Sequence, residues 1–267
     1  MKVKLLNPSI VKDLYANHGQ FACICYDTPD SLAEKVGEEC QSSGHMSGSR
    51  CEYIKFLVTD VDRGTAEQCL RHEIGTAIPY ELQDNYYISD YTDLVINVPP
   101  DQIVKNMASF RYIDKDGFGW VTPVTIKHCE NAKAIYDDCM RYINNARKLI
   151  KEALMEDGID THQATQDANF VLPRATTTAL VIGFTPEALI HFMHKRLCLR
   201  AQEFVRDVAR AMVEQIYHHN IRFCKELVPH CEHLLWCPEK NSCGRMPTKA
   251  QVRSVIEKSR EDMKRYV

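Results

Sequence analysis

The stretch Gln68-Cys-Leu-Arg-His-Glu-Ile-Gly-Thr76, "QCLRHEIGT", decides how this chain is read. Gln68, Arg71, His72 and Gly75 stand at offsets 0, 3, 4 and 7, one stripe of an α-helix. Arginine reads phosphates or uracil-type carbonyls through its forked donors, and histidine adds a switchable donor beside it. The plainer reading is a solvated face paired along the helix to Glu67 or Glu73. The residues alone leave both open.

Outward from that stretch, the helix is expected from about Arg63 to Ile78, where Pro79 ends it. Before it, Cys51–Val61 puts Ile54, Phe56 and Val58 on one face, a strand pattern, and Ser42–Ser49 ("SSGHMSGS") is a loop by composition. Gln20–Asp27 ("QFACICYD") alternates like a buried strand, and Ser31 with Glu34 forms an S-x-x-E capping box for the next helix. Downstream, Cys129–Glu156 carries apolar residues at threes and fours, with Gly158 just beyond. Thr176–Phe184 is β-rich, and Thr185-Pro186 supplies a cap and first-turn proline for a helix to about Lys195. One long helix is expected from roughly Arg200 to Glu226. The sum is an α+β fold: a mixed or antiparallel sheet with long helices.

With 267 residues, the chain is long enough to bury a sizeable core without staples. A formal net charge of −3 removes bulk attraction to nucleic acid polymers. No apolar run approaches the ~20 residues a membrane span needs. The N-terminus lacks a secretory pattern, so the expected location is the cytoplasm. Twelve cysteines are then read as reduced thiols rather than a disulfide framework.

Further constellations invite chemistry. His45 and Ser47 sit in the loop before a strand, where they could meet a ligand or simply be solvated. In "HKRLCLRAQEFVRDVARAM" (His194–Met212), Arg196, Arg200, Arg206 and Arg210 cluster with Gln202, either toward an anion or as a face balanced by Glu203 and Asp207. Near the C-terminus Cys224, Cys231, Cys237 and Cys243 alternate with His218, His219, His230 and His233. Such density suggests zinc, but the spacing contains no C-x-x-C knuckle, and reduced cysteines without metal are the expectation.

Taken in order, these segments resemble the flavin-dependent thymidylate synthases. That family has a G-H loop before a strand, a helix bearing Q-x-x-R-H-R, and later a V-L-P segment followed by an R-x(5)-A-Q helix. Here the order reads Gly44-His45, Gln68-Cys-Leu-Arg71-His72, Val171-Leu-Pro173 and Arg196 through Ala201-Gln202. "ACICYD" resembles the family's A-R-V-C-Y-S strand, and "CPEKNSCGR" (Cys237–Arg245) a tail of some bacterial members.

The resemblance implies one domain over residues 1–267, with a cysteine-containing tail from about 224, and a homotetramer with shared active sites. It implies reductive methylation at C5 of the uracil ring of dUMP, with FAD as cofactor and methylenetetrahydrofolate and NADPH as co-substrates. His45, Ser47, Arg71, His72, Ile74 and His191 match flavin-contacting positions. Gln68, Glu81, Leu82 and Gln83 match nucleotide contacts, and Arg196 the arginine that polarises the uracil carbonyl.

Departures accompany the match. Glu73 replaces the third signature arginine, Gln83 a serine, and Asn85 and Asn169 arginines that grip the nucleotide phosphate. The resemblance therefore leaves open C5 modification of another pyrimidine nucleotide or nucleoside, and a non-catalytic flavin-binding paralogue.

Overall fold

A computed structural model describes residues 1–70, 105–107 and 118–264. The first strand, β1 (Lys2–Leu5), leads into α1 (Pro8–Lys12) and α2 (Leu14–Tyr26). A 3-10 turn then precedes α3 (Ala33–Ser42), and a second one precedes β2 (Ile54–Asp62). Next come α4 (Arg63–Leu70), β3 (Lys105–Met107), α5 (Val124–Lys127), α6 (Glu130–Glu156) and α7 (Thr161–Ala168). The chain continues with β4 (Thr177–Phe184), α8 (Pro186–Arg196) and α9 (Glu203–Tyr217). It ends with α10 (Ile221–Cys224), α11 (His230–Leu234) and α12 (Lys249–Lys264).

The strands join in the order β1-β2-β4-β3, every neighbour antiparallel. The α+β expectation holds, and the sheet among the described residues is antiparallel. Its centre is β2 against β4, where Ile54, Phe56, Val58, Leu180, Ile182 and Phe184 exclude water completely. That face packs on α8 and α9 through Leu189, Phe192, Met193, Val205, Val208 and Met212. Phe184 lies between Phe56 (ring centroids 6.5 Å) and Phe192 (5.0 Å) and ties the layers together.

Near its end β2 carries a bulge: the register shifts between Val58 and Val61, and Asp60 adopts a left-handed φ of 54°. An extra residue bends a strand and increases its local twist, and here the bent strand runs directly into α4. Asp62 Oδ1 accepts the Thr65 N–H at 2.9 Å, which satisfies one of the helix's orphan donors. The start of α4 thus agrees with expectation, and everything after Leu70 in the expected helix lies outside the described residues.

The expected strand at Gln20–Asp27 is the second half of α2. Its alternation misled because the large residues are not the buried ones: Phe21, Ile24 and Tyr26 are exposed. The buried face is built from Tyr15, His18, Gly19, Ala22 and Cys23, which recur at threes and fours. Glycine permits the close crossing with α3, since a Cβ at Gly19 would stand 1.6 Å from the Ala33 carbonyl oxygen. The Ser31–Glu34 box does not form; α3 begins at Ala33, after a 3-10 turn, without a side-chain cap.

The single helix expected over 200–226 is divided. Gln202 has extended backbone at the start of α9, and Asn220 interrupts its far end. Buried Asn220 accepts from Phe223 N at 3.0 Å and donates to Val11 O at 2.9 Å. A short amide that bonds nearby backbone offers an alternative to helix continuation. Elsewhere α6, β4 and α8 match expectation within a residue or two, with Thr185 Oγ1 accepting from Ala188 N at 3.2 Å.

Candidate active site

Three elements bring polar side chains together: α4, the C-terminal end of α8 and the start of α9. Arg196, the last residue of α8, donates from Nη2 to the Gln68 carbonyl at 3.2 Å. The Gln68 side chain donates to Gln202 Oε1 across to α9. The Arg196 guanidinium stands 6.0 Å above the Phe192 ring, which supports the charge from below. Its Nε is buried without a hydrogen-bond partner among the described residues. A buried, unsatisfied donor of a charged group is costly and attracts an acceptor. Two amides and a guanidinium thus converge, with donor capacity left over.

His45 and Ser47 are exposed in the loop before β2. The loop is anchored by the contact of His18 Nε2 with the His45 carbonyl at 3.0 Å. Next to it, Arg50 pairs with Glu187 at 2.6 Å, at the opposite end of α8 from Arg196. Arg196 stands nine positions along the helix from Glu187, about 13 Å along the axis. The chain therefore sets the loop residues and the Gln68/Arg196 pair at opposite ends of one helix, spaced for an elongated ligand rather than a small one. His191 lies between them, partly buried. Burial, then Lys195 and His230, hold its imidazole below the usual range and favour the neutral form.

Arg71, His72, Ile74, Glu81, Leu82 and Gln83, with Glu73 and Asn85, lie outside the described residues. Asn169 is described and buried, and it holds something the sequence reading missed. Arg147 of α6, only 4% exposed, donates from Nη1 to Asn169 Oδ1 at 3.1 Å. A guanidinium thus stands beside a position that lacks one. A sequence signal existed, because Arg147 falls a heptad after Met140, the other buried residue of α6. Five residues beyond Asn169, Arg174 is drawn to Glu67 at 3.5 Å, and Arg200 is exposed beside a cavity near the C-terminal tail.

The expected cysteine group is rearranged as well. Cys224 turns away: its thiol points to the Val213 carbonyl at 3.7 Å, and burial pushes it up to about 11. Of the interspersed histidines, His230 stacks on His194 (5.2 Å between rings) and His233 approaches it at 4.9 Å.

This combination of an antiparallel sheet, Gln68 on α4 and an arginine ending α8 coincides with a match to one protein family. The family described as thymidylate synthase complementing protein matches residues 16–219, and the chain belongs to that family. Among its relatives, a flavin-dependent thymidylate synthase of Nitratidesulfovibrio vulgaris is 30% identical over 215 residues, 77% of this chain and 73% of the relative. One of Pyrococcus abyssi is 36% identical over 202 residues, covering 74% and 69%. One of Clostridium tetani is 27% identical over 261 residues, 92% of this chain and 94% of its own length.

Proposed function

We propose that this chain is a flavin-dependent thymidylate synthase, which methylates C5 of the uracil ring of dUMP reductively. FAD would be the cofactor, methylenetetrahydrofolate the carbon donor and NADPH the reductant. The observation that carries this reading is Arg196: a half-buried guanidinium at the end of α8, held to the Gln68 carbonyl, whose buried Nε has no hydrogen-bond partner among the described residues.

The residues present fit such ligands. His45 and Ser47 on the anchored loop and His191 at mid-helix, whose neutral form burial favours, are a row of polar groups suited to the edge of an isoalloxazine. Arg71, His72 and Ile74 would complete that hold. When bound, the flavin supplies the redox chemistry and carries the one-carbon unit.

The chain's own part is positioning and electrostatics. Uracil C5 becomes nucleophilic as negative charge builds on a ring carbonyl, and a fixed cation beside that oxygen stabilises the change. Arg196 is held for this by its bond to Gln68 and by Phe192 beneath it. Gln68 and Gln202 present amide donors and acceptors that complement the imide edge of the ring. Glu81, Leu82 and Gln83 would complete the nucleotide contacts.

Arg147 offers the phosphate a guanidinium at Asn169, which answers the most serious departure from the family pattern. Neutral Asn169 itself favours a second reading, flavin-dependent modification of a different pyrimidine nucleotide. Incubating the purified chain with FAD, NADPH and methylenetetrahydrofolate against dUMP, UMP, dCMP and deoxyuridine separates the two. The first reading predicts methylated product from dUMP above the others. Product from UMP or dCMP alone would transfer the assignment to the second.

A homotetramer with shared sites accords with the surface of α6. Ile135, Tyr142 and Leu149 recur every seven residues and are 69%, 74% and 56% exposed in the single chain. Such a heptad stripe matches the seam of a helix–helix contact.

A further inference from the structure

Cys198, Cys231, Cys237 and Cys243 come from separate parts of the chain: the α8–α9 turn, α11 and two points in the loop before α12. All four line one cavity of about 260 Å³. None is in a disulfide. Cys224, adjacent in sequence terms, is not part of the group.

The surrounding segment is held by surface contacts rather than by an apolar core: the Arg245–Glu232 ion pair, Lys249 over the Trp236 ring, and His230 and His233 against His194. Between Pro229 and Thr248, Pro229 and Cys237 are the buried residues. The loop is tied by the Cys237 N–H to Pro247 O at 2.7 Å and a bridge from Cys237 to Thr248. Gly244 adopts a left-handed φ of 84°, which lets the chain reverse immediately after Cys243. Short segments without an apolar core commonly fold around a metal or a disulfide, and thiolates from several segments are the usual set for structural zinc.

We propose that Cys198, Cys231, Cys237 and Cys243 form a tetrathiolate site for a zinc ion that fastens the C-terminal tail to the end of α8. Among the described residues no three donors are already gathered closely enough to hold an ion. Binding therefore draws the thiols inward by side-chain rotation, and each gives up its proton to solvent as it ligates. A zinc ion with four thiolates carries a net double negative charge. Lys195, Arg196 and Arg200 line the same cavity and balance it. Because Arg196 belongs to both walls, the ion would also set the position of the α8 terminus.

Metal content of the full-length chain, purified in reductant without chelator, is the test. Elemental analysis should give close to one zinc per chain, falling at least tenfold in Cys198→Ser and Cys237→Ser and unchanged in Cys224→Ser. The chelated, unmutated chain titrated with Co²⁺ should develop the visible bands of tetrahedral cobalt thiolate. This arm remains informative even where a serine variant fails to fold. Zinc retained in full by Cys198→Ser, or neither bound zinc nor a cobalt–thiolate spectrum in the unmutated chain, would overturn the proposal. Iron with acid-labile sulfide in place of zinc would overturn it too.

Discussion

The β2–β4–α8–α9 layer and helix α6 are built on opposite terms. In the first, strand and helix residues meet within the chain, and Ile54, Phe56, Ile182, Phe184, Leu189 and Met212 have no exposed surface. In the second, a helix of 27 residues buries Met140 and Arg147 and leaves an apolar heptad stripe in solvent. The first region closes within the chain; the second leaves an apolar stripe uncovered in the single chain. Arg196 and Gln202 sit on the first region, whereas Arg147 reaches Asn169 from the second.

Substitution should separate the two regions sharply. Phe184→Ala removes the ring between Phe56 and Phe192 and is expected to cost about 3–5 kcal/mol, read as a lowered urea midpoint. A loss under 1 kcal/mol would mean the layers are not held as described. Arg147→Ala removes the guanidinium at Asn169. Losing a charge-assisted bond of about 1.5–3 kcal/mol should raise KM for dUMP about ten- to a hundredfold with kcat less affected. Arg147→Lys should recover part of that loss, and an unchanged KM would remove Arg147 from the nucleotide's surroundings.

Smaller effects probe the exposed face and the histidines. Tyr142→Ser should change the dilute chain's stability by no more than about 0.5 kcal/mol and yet lower the mass measured by light scattering. Unchanged mass would place the subunit contact elsewhere. His194 is pushed down to about 4 by burial and by His233 and His230, against 6.5 when unfolded. Below pH 6.5 the unfolded chain therefore binds more protons at this position than the folded one, so its contribution to stability falls as pH drops from 6.5 towards 4. The urea midpoint should decline over that window in the natural chain and less steeply in His194→Gln. Equal slopes would show that His194 is not held neutral by the fold.

The same contrast explains what could be read in advance. Strands β2 and β4 are legible because Ile54, Phe56, Val58 and Leu180, Ile182, Phe184 alternate toward a core that this chain itself supplies. Helix α6 is legible from period alone, although its apolar stripe does not face the chain's own core. Helix α2 is not legible as such, because its packing face is Gly19, Ala22 and Cys23 rather than its large residues. For the site, order and spacing led to Gln68, Gln202 and Arg196, and the structure brings those together. They could not reveal that Arg147 meets Asn169 across 22 positions, or that Cys198 rather than Cys224 shares a cavity with the tail thiols. Both depend on tertiary approach, which a linear pattern does not carry.

The central claim is that Arg196 polarises the pyrimidine without being needed to hold the flavin. Turnover and flavin content measured together on Arg196→Ala test it directly. The account predicts a loss of at least about 10²-fold in kcat, with FAD still bound at the natural stoichiometry. Turnover within a few-fold of the natural chain, or flavin lost along with activity, would contradict it.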